Sequence, residues 1–255
     1  MISTDERREE IVELIHQNGK VKVSELSQLY NISEVSIRKD LEVLEEQGHL
    51  SRVHGGAVGL NKLYVNMDIN ERFKTNASAK KELAELAANF IDDNDTIMMN
   101  AGTTLCYVLR AIRGKKNITI VTNSVQNATE AALFSSFNVI LLGGNLDSKY
   151  QFTYGQDAIV QLKNYHATKC ILSVDGISAE AGLSLYYANE AELARQMIEC
   201  SGTVIVTADS SKVGKNVFAR ITDTQKADII ITNKTENREE ITKLKKLGIR
   251  IYETK

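Results

Sequence analysis

The sequence predicts an α/β protein in two parts. A small, mostly helical head ends in a β-hairpin, and a larger domain is built on a mainly parallel sheet. Three observations carry this. Short amphipathic helical stretches crowd residues 3–58, closed by the glycine-rich run Arg52-Val53-His54-Gly55-Gly56-Ala57. From residue 76 to 255, short apolar strands alternate with helical stretches, the pattern of a sheet covered on both faces. Between them, residues 59–75 show no clean period and read as a connector whose end can open a helix.

Ser3 and Glu6 form a capping box, the serine accepting from the backbone and the glutamate reaching back. Ile11, Leu14 and Ile15 then share one helical face, and Asn18-Gly19 ends the helix. Val21 and Val23 flank Lys22 in a short extended piece, after which Ser24 is expected to cap a second helix with Leu26 and Leu29 inward. Asn31 suits the next turn, because asparagine visits positive φ at modest cost. Ser33 caps a third helix, in which Ile37, Leu41 and Leu44 fall at i, i+4 and i+7 and define the buried stripe. Gly48 stops that helix. Leu50 to Ala57 then make a hairpin with a tight glycine tip.

At about 100° per residue, Val35, Ser36, Arg38 and Lys39 point away from the buried stripe of the third helix. Its first half therefore carries hydroxyls and cations, suited to phosphates and base edges. Its second half carries Glu42, Glu45 and Glu46, which a phosphate wall repels. The order of helix, turn, helix and basic hairpin is that of a winged helix-turn-helix, which enters a DNA groove. The residues expected at DNA are Lys22, Ser24, Ser33, Glu34, Ser36, Arg38, Lys39, Arg52, His54 and Gly55. A small helical domain with a solvated charged face is the plain alternative. The tight succession of turn, cap serine, Arg-Lys pair and hairpin argues against it.

Composition narrows the classes. Hydrophobic residues make up 43% and charged residues 25% of the 255, ordinary for a soluble globular protein. No apolar run approaches the roughly 18 residues that span a bilayer. The charged start MISTDERREE lacks an apolar signal core, so a cytoplasmic location is expected. Cys106, Cys170 and Cys200 are scattered without metal-ligand spacing, and neither a metal nor a cofactor is expected. Net charge is −2 overall, yet residues 1–60 hold seven Lys and Arg against eleven Asp and Glu. A DNA-binding head is usually basic. This one is basic only locally, which implies weak non-specific binding per head and two or more heads acting together. With no proline in the chain, element ends fall to Gly, Asn, Asp and Ser.

In the larger domain a helical run opens near Ser78, with Leu83, Leu86, Ala87 and Phe90 on one face. Strands are expected at 96–99, 118–122, 139–142, 170–174, 204–208, 229–232 and 249–252, and helices near 104–113, 125–134, 156–164, 188–200 and 238–247. Polar loops follow five of those strands. They carry Asn100, Ala101, Gly102, Thr103 and Thr104, then Asn123, then Gly143 and Gly144, then Asp175 and Gly176, then Asp209 and Lys212. Ligands in open α/β sheets bind beyond the carboxyl ends of strands. Gly102-Thr103-Thr104 opens a helix directly after a strand, where N–H groups and the helix dipole favour an anion such as phosphate. A simple threonine N-cap is the alternative there. Lys212 can balance the anion's charge. Asn123, Asp175, Glu190 and Glu192 suit sugar hydroxyls, although the two glutamates also fit a solvated helix start.

These residues resemble the DeoR-type sugar-metabolism repressors of bacteria. The likeness in the head runs through Val21, Glu25, Leu26, Ser33, Ile37, Arg38, Asp40, Leu41, Gly48, Arg52 and the His54-Gly55-Gly56-Ala57 run, with Ser36 where threonine is commoner. In the larger domain it runs through AGTT (101–104), TN (122–123), GG (143–144), VDG (174–176), NEAE (189–192) and DSSK (209–212). The resemblance implies an effector domain similar in fold to ribose-5-phosphate isomerase and CoA-transferase-like proteins, with a phosphorylated sugar as inducer. Asn100 stands where aspartate is more usual, which removes a negative charge beside the expected phosphate loop.

The expected function is therefore a repressor that binds a double-stranded operator and is released by a phosphorylated sugar, acting as a homodimer or higher homo-oligomer on paired half-sites. Two other classes fit parts of the sequence. A sugar-phosphate isomerase carrying a DNA-binding head would use Asp175, Glu190 and Lys212 for proton transfer and enediolate stabilisation. A constitutive architectural DNA binder would need no polar pocket.

Overall fold

The structure is a computed structural model that describes residues 3–18, 20–46, 49–53, 55–59, 67 and 69–254. It divides into two compact units, Met1–Met67 and Asp68–Lys255. The expected endings at Gly19 and Gly48, and the side chain of His54, lie outside the described residues.

The first unit contains α1 (Thr4–Asn18), β1 (Lys20–Lys22), α2 (Val23–Tyr30), α3 (Glu34–Glu46), β2 (Leu50–Val53) and β3 (Gly56–Gly59). The capping box forms: the Ser3 amide donates to Glu6 Oε2 at 2.9 Å and the Glu6 amide to Ser3 Oγ at 3.2 Å. Asn31 closes α2 at φ 51°, and its amide reaches the carbonyls of Gln28 and Ser27. Ser33 caps α3 by accepting from the Ser36 amide at 3.2 Å. Ser24, by contrast, lies inside α2 and caps nothing; that helix starts one residue earlier, after Lys22. The core is Ile11, Ile15, Val21, Val23, Leu26, Ile37, Leu41, Leu44, Leu50 and Ala57, with Leu14 half-buried against it. Leu29, expected inward, is 62% exposed, because Tyr30 and Ile32 pack there at the end of α2 instead. One further residue ties α1 to α3. Asp40 is buried, and Arg7 and Arg8 both donate to its carboxylate, at 2.8 and 3.0 Å.

The wing is a three-stranded antiparallel sheet in the order β1-β3-β2. Its glycines are there for backbone reasons. Gly55 sits at φ 79°, a left-handed conformation that costs other residues energy. A Cβ on Gly56 would lie 2.1 Å from the Val21 carbonyl oxygen, so β3 could not approach β1.

The second unit begins with α4 (Ile69–Lys74) and α5 (Ala77–Ala88), so part of the expected 59–75 connector is helix that packs with the larger unit. There follow β4 (Thr96–Met99), α6 (Thr103–Ala111), β5 (Ile118–Thr122), α7 (Val125–Ala131), β6 (Phe137–Leu141), β7 (Asn145–Asp147), β8 (Phe152–Tyr154), α8 (Gln156–Leu162) and β9 (Ala167–Ser173). The chain continues through β10 (Gly176–Ser178), β11 (Gly182–Leu185), α9 (Ala188–Glu199), β12 (Ser201–Thr207), β13 (Ala219–Thr222), β14 (Ile229–Thr232), α10 (Arg238–Lys246) and β15 (Arg250–Glu253).

Seven strands pair in parallel, in the order β15-β14-β12-β9-β4-β5-β6. Alternation divides their side chains between two cores, as a doubly covered sheet requires. Ile97, Met99, Ile171, Ile205 and Ile231 pack with α5 and α6. Met98, Cys170, Leu172, Val206 and Ile230 pack with α8, α9 and α10. The hairpin β7-β8 and a small antiparallel sheet β10-β11-β13 are additions absent from the sequence expectation. The chain runs outward from β4 through β5 and β6, then returns to place β9 on the other side of β4. The loops after β4 and β9 therefore diverge at a topological switch point, where ligands of such sheets bind.

Candidate functional site

In the first unit, α3 presents the expected face. Ser33, Val35, Ser36, Arg38 and Lys39 are exposed, while Ile37 between them is fully buried. A groove of ≈ 360 Å³ separates α3 from the wing, lined by Arg38, Glu45, Arg52, Val53, Gly55 and Gly56 among others. The cations are not idle in it. Arg38 pairs with Glu34 at 2.5 Å, Lys22 with Glu25 at 2.7 Å, and Arg52 with Glu45 at 2.8 Å and Glu42 at 3.5 Å. Arg52 also donates its amide to Glu45 at 2.7 Å, fixing the wing against the acidic half of α3. Donating hydrogen bonds to Glu25 and Glu45 raises the pKa of Lys22 and of Arg52. Arg52, expected as a phosphate contact, also forms a strut between wing and helix, with its side chain 41% exposed. The acidic half of α3 has the same use: it holds the wing.

In the second unit, the polar loops after β4, β9 and β12 come together at the switch point. Asn100 is wholly engaged: it donates to the Ser173 carbonyl at 3.0 Å and to Glu190 Oε1 at 3.1 Å, and accepts from the Ser173 amide at 2.9 Å. It is a clamp between the ends of β4 and β9, and a carboxylate in its place could not donate these bonds. Gly102 lies against β9, where a Cβ would meet Ser173 Cβ at 2.6 Å. It is also the N-cap residue of α6, with no side-chain cap, so neither Thr103 nor Thr104 has that role. Both threonines are buried in the first turn, and Ala101 precedes them half-buried.

Asp175 accepts from the Tyr186 amide at 3.2 Å and lies 3.8 Å from Lys212 Nζ, both side chains nearly buried. Gly176 is required by close approach, since a Cβ there would meet Ser184 Oγ at 2.5 Å and the Lys215 carbonyl at 2.6 Å. Asp209 caps the short 3-10 turn Ser210–Lys212 by accepting from the Ser211 amide. Glu190 is buried, and that burial, with Asp175 nearby, pushes its carboxyl up to about 8.

Other expected residues stand apart. Glu192 is exposed, because two residues along a helix turn it away from Glu190. It does not join the cluster. Gly143 donates its amide to Gln161 at 2.9 Å, and Gly144, at φ 129°, packs where a Cβ would meet the Tyr154 carbonyl at 2.5 Å. These glycines seat β8 and α8. Asn123 donates to the Thr153 carbonyl at 3.0 Å, while its buried Oδ1 has no hydrogen-bond partner.

Several site residues escaped the sequence reading. Arg72 of α4 stacks over the Tyr150 ring, 4.6 Å from its centroid, and Tyr150 packs on Tyr187 at 4.5 Å. Lys80 of α5 is buried and donates to the carbonyls of Arg72 and Thr75. Burial lowers it to about 8; the charge of Asp209 opposes that, and Lys212 and Arg72 add to it. Lys215 is lowered too, by burial first and then by Lys212. Asn127 donates to the Asn100 carbonyl at 2.9 Å from inside α7. Arg72 lay in the segment read as connector, and Lys80 on a helix whose polar positions look solvated. A lysine is almost never buried unless paired, so only the fold reveals it.

The description "DeoR-like helix-turn-helix domain" matches residues 7–62, and "DeoR C terminal sensor domain" matches residues 75–234. The HTH-type transcriptional regulator YulB of Bacillus subtilis is 36% identical over 89% of this chain and 88% of its own. The HTH-type transcriptional regulator GolR of Listeria innocua is 31% identical over 96% of each. The glycerol-3-phosphate regulon repressor of Escherichia coli is 30% identical over 89% of this chain and 90% of its own. These relatives carry the names of regulators and repressors, not of enzymes. Among solved structures, ribose 5-phosphate isomerase A from Neisseria gonorrhoeae is similar at TM-score 0.40 and 18% identity, covering 52% of each chain. The chain belongs to the DeoR family, with a DNA-binding helix-turn-helix domain followed by a sensor domain.

Proposed function

We propose that this regulator represses a sugar-utilisation operon, that a phosphorylated sugar is its inducer, and that it acts as a homo-oligomer with paired heads. The observation that carries the ligand class is the basic cluster at the switch point. Lys80 lies within electrostatic reach of Arg72, Lys212 and Asp209, Lys215 within reach of Lys212 and Asp209, and Lys212 stands 3.8 Å from Asp175. Glu190 keeps its proton at neutral pH and adds no negative charge. An arriving anion offsets the burial and mutual repulsion that lower the pKa of Lys80 and Lys215. The first turn of α6 has no side-chain cap and sets its amides beside buried threonine hydroxyls. Asp175, Asp209 and Glu190 supply acceptors and a donor for sugar hydroxyls.

In the head, Ser33, Ser36, Arg38 and Lys39 read the groove, Glu34 restrains Arg38 on that face, and Lys22, Ser24 and Gly55 lie at its flanks. Induction needs the sugar phosphate to bind the operator-competent arrangement less tightly than the alternative, and DNA then weakens the ligand by the same factor.

Operator binding of the intact protein, measured with and without sugar monophosphates, tests this. Arg38→Ala is expected to lose the operator while keeping a ligand-induced thermal shift. Lys212→Ala is expected to keep the operator and lose the shift, giving a repressor that cannot be induced. An operator affinity indifferent to every phosphate, or a Lys212→Ala protein that responds normally, refutes the reading.

A further inference from the structure

The seven-stranded sheet ends in two unlike edges. On one side β15 carries Arg250 and Glu253, the latter paired with Arg238 at 2.5 Å. Charged residues of this kind keep an edge strand from pairing with a neighbour. On the other side β6 carries none. Residues 131–146 hold no charged side chain at all, the longest such stretch in a chain that is 25% charged. Within it Leu133, Leu141 and Leu146 are 73%, 43% and 55% exposed. Alternation fixes which backbone groups of β6 are open. The Leu142 amide donates to the Thr122 carbonyl at 2.8 Å, so Ile140 and Asn138 also turn their amides and carbonyls toward β5. Those of Val139 and Leu141 point the other way and meet no partner among the described residues. The Phe137 amide is closed by the Phe134 carbonyl at 3.0 Å, which leaves Val139 to Leu141 as the open run.

We propose that β6 is the seam of a homodimer: a second copy of this chain lays its own β6 antiparallel against this one, and the two sheets become continuous. The proposal rests on the homo-oligomer reading above and names the surface that serves it. The register that uses every open group has its two-fold axis at Ile140. Val139 then faces Leu141 of the partner subunit, and each of the two such pairs exchanges both of its N–H···O=C bonds. Ile140 faces its own copy as a non-hydrogen-bonded pair, with Cα atoms about 4.5 Å apart. A two-fold contact sets the same patch against itself, so a charge beside the axis would meet its like. An uncharged edge has no such penalty, which favours a second copy as the occupant. The apolar side chains pair as well. Val139 and Leu141 lie on the α5 and α6 side of the sheet and Ile140 on the α8 side, so both faces of the seam lose water on pairing.

The test uses the full-length chain. Sedimentation velocity over a range of concentrations reads the assembly of wild type, Leu141→Lys, Leu141→Asp and an equimolar mixture of the two variants, and a thermal melt of each confirms folding. Across the axis position 141 and its copy are diagonal neighbours, about 7–8 Å apart. Each single variant therefore sets like charges together and is expected to halve the mass of the assembly, or to weaken association at least tenfold. The mixture sets opposite charges together and recovers the wild-type mass. Cysteine substitutions read the register. Ile140→Cys is expected to form a covalent dimer under mild oxidation, because its Cα separation suits a disulfide. Asn138→Cys is more exposed, yet it lies about 13 Å along the strand from its copy and is expected to stay uncrosslinked. Leu141 variants with wild-type mass and affinity, a mixture that stays apart, or an Asn138→Cys protein that crosslinks as fast as Ile140→Cys overturns the seam and leaves the homo-oligomer reading standing. A wild-type protein that is monomeric at every concentration overturns both.

Discussion

Replacing Glu190 by Gln should stabilise the ligand-free sensor domain, and by an amount that grows with pH. Glu190 is buried, and its carboxyl accepts a hydrogen bond from Asn100 at 3.1 Å. Its pKa rises from the ordinary 4.5 to about 8, first through burial and then through Asp175. A raised carboxyl pKa means that the folded state holds a proton the unfolded chain releases above 4.5. Stability is then lost as pH rises from 4.5 to about 8, and is level beyond. With about 1.4 kcal/mol per pH unit, the span from 4.5 to pH 7 costs the folded state about 3 kcal/mol. Glutamine has no proton to release, and its carbonyl can still accept from Asn100. For a domain of this size that is roughly 6–12 °C in melting temperature at pH 7, and roughly 1–3 °C at pH 5. Lys80 does not confuse the result, because its own window lies between about 8 and 10.5. Thermal melts of wild type and Glu190→Gln at pH 5, 6, 7 and 8 measure the difference. A gap that is the same at pH 5 and pH 7 refutes the account, as does a less stable variant throughout.

Asp40→Ala removes the carboxylate that joins Arg7 and Arg8, whose side chains are 11% and 23% exposed. Breaking a buried pair costs about 3–5 kcal/mol; with the arginines reaching water, about 2–4 is expected, seen as a lower unfolding midpoint of the head in denaturant. A change below about 0.5 kcal/mol, the usual surface value, contradicts this. Glu34→Gln releases Arg38 from its partner and removes a negative charge from the groove face. An exposed pair is worth about 0.2–1 kcal/mol, so affinity for duplex DNA should rise up to about fivefold at moderate salt. Filter binding or anisotropy reads it, and a loss of affinity would assign Glu34 to base contact instead.

Much of this fold is legible in the chain because its strands are buried on both faces. Thr96–Met99, Ile118–Thr122 and Ile229–Thr232 read as apolar runs and form as read. β9 and β12 begin three residues earlier than expected, since their starts, Ala167–Lys169 and Ser201–Thr203, lack large apolar residues yet pair with each other. The strands β7, β8, β10, β11 and β13 were invisible: three or four residues rich in Gly, Ser, Thr and Asn carry no period. In the site, the loop residues could be placed because they follow strands. Glu190 and Glu192 look alike in sequence, and only helix phase, one inward and one outward, separates them. Ser24 looked like a cap because it is a serine before an apolar stretch, yet Val23 is already helical. The basic partners Arg72 and Lys80 come from segments far from any strand end, which no local pattern announces.

The sheet's central seam has a bearing on biosynthesis. Met98 of β4 cannot pair with Cys170 until β9 has been made. Such long closures slow folding, whereas the head closes its contacts within the first 59 residues. At roughly 5–20 residues per second, the ribosome needs roughly 10–40 s after finishing the head to complete the remainder. For that interval a nascent chain carries a finished DNA-reading surface and nothing that can answer a metabolite. If single heads bind weakly, as paired action requires, the pairing of Lys22, Arg38 and Arg52 with glutamates would keep these half-made molecules from occupying operators.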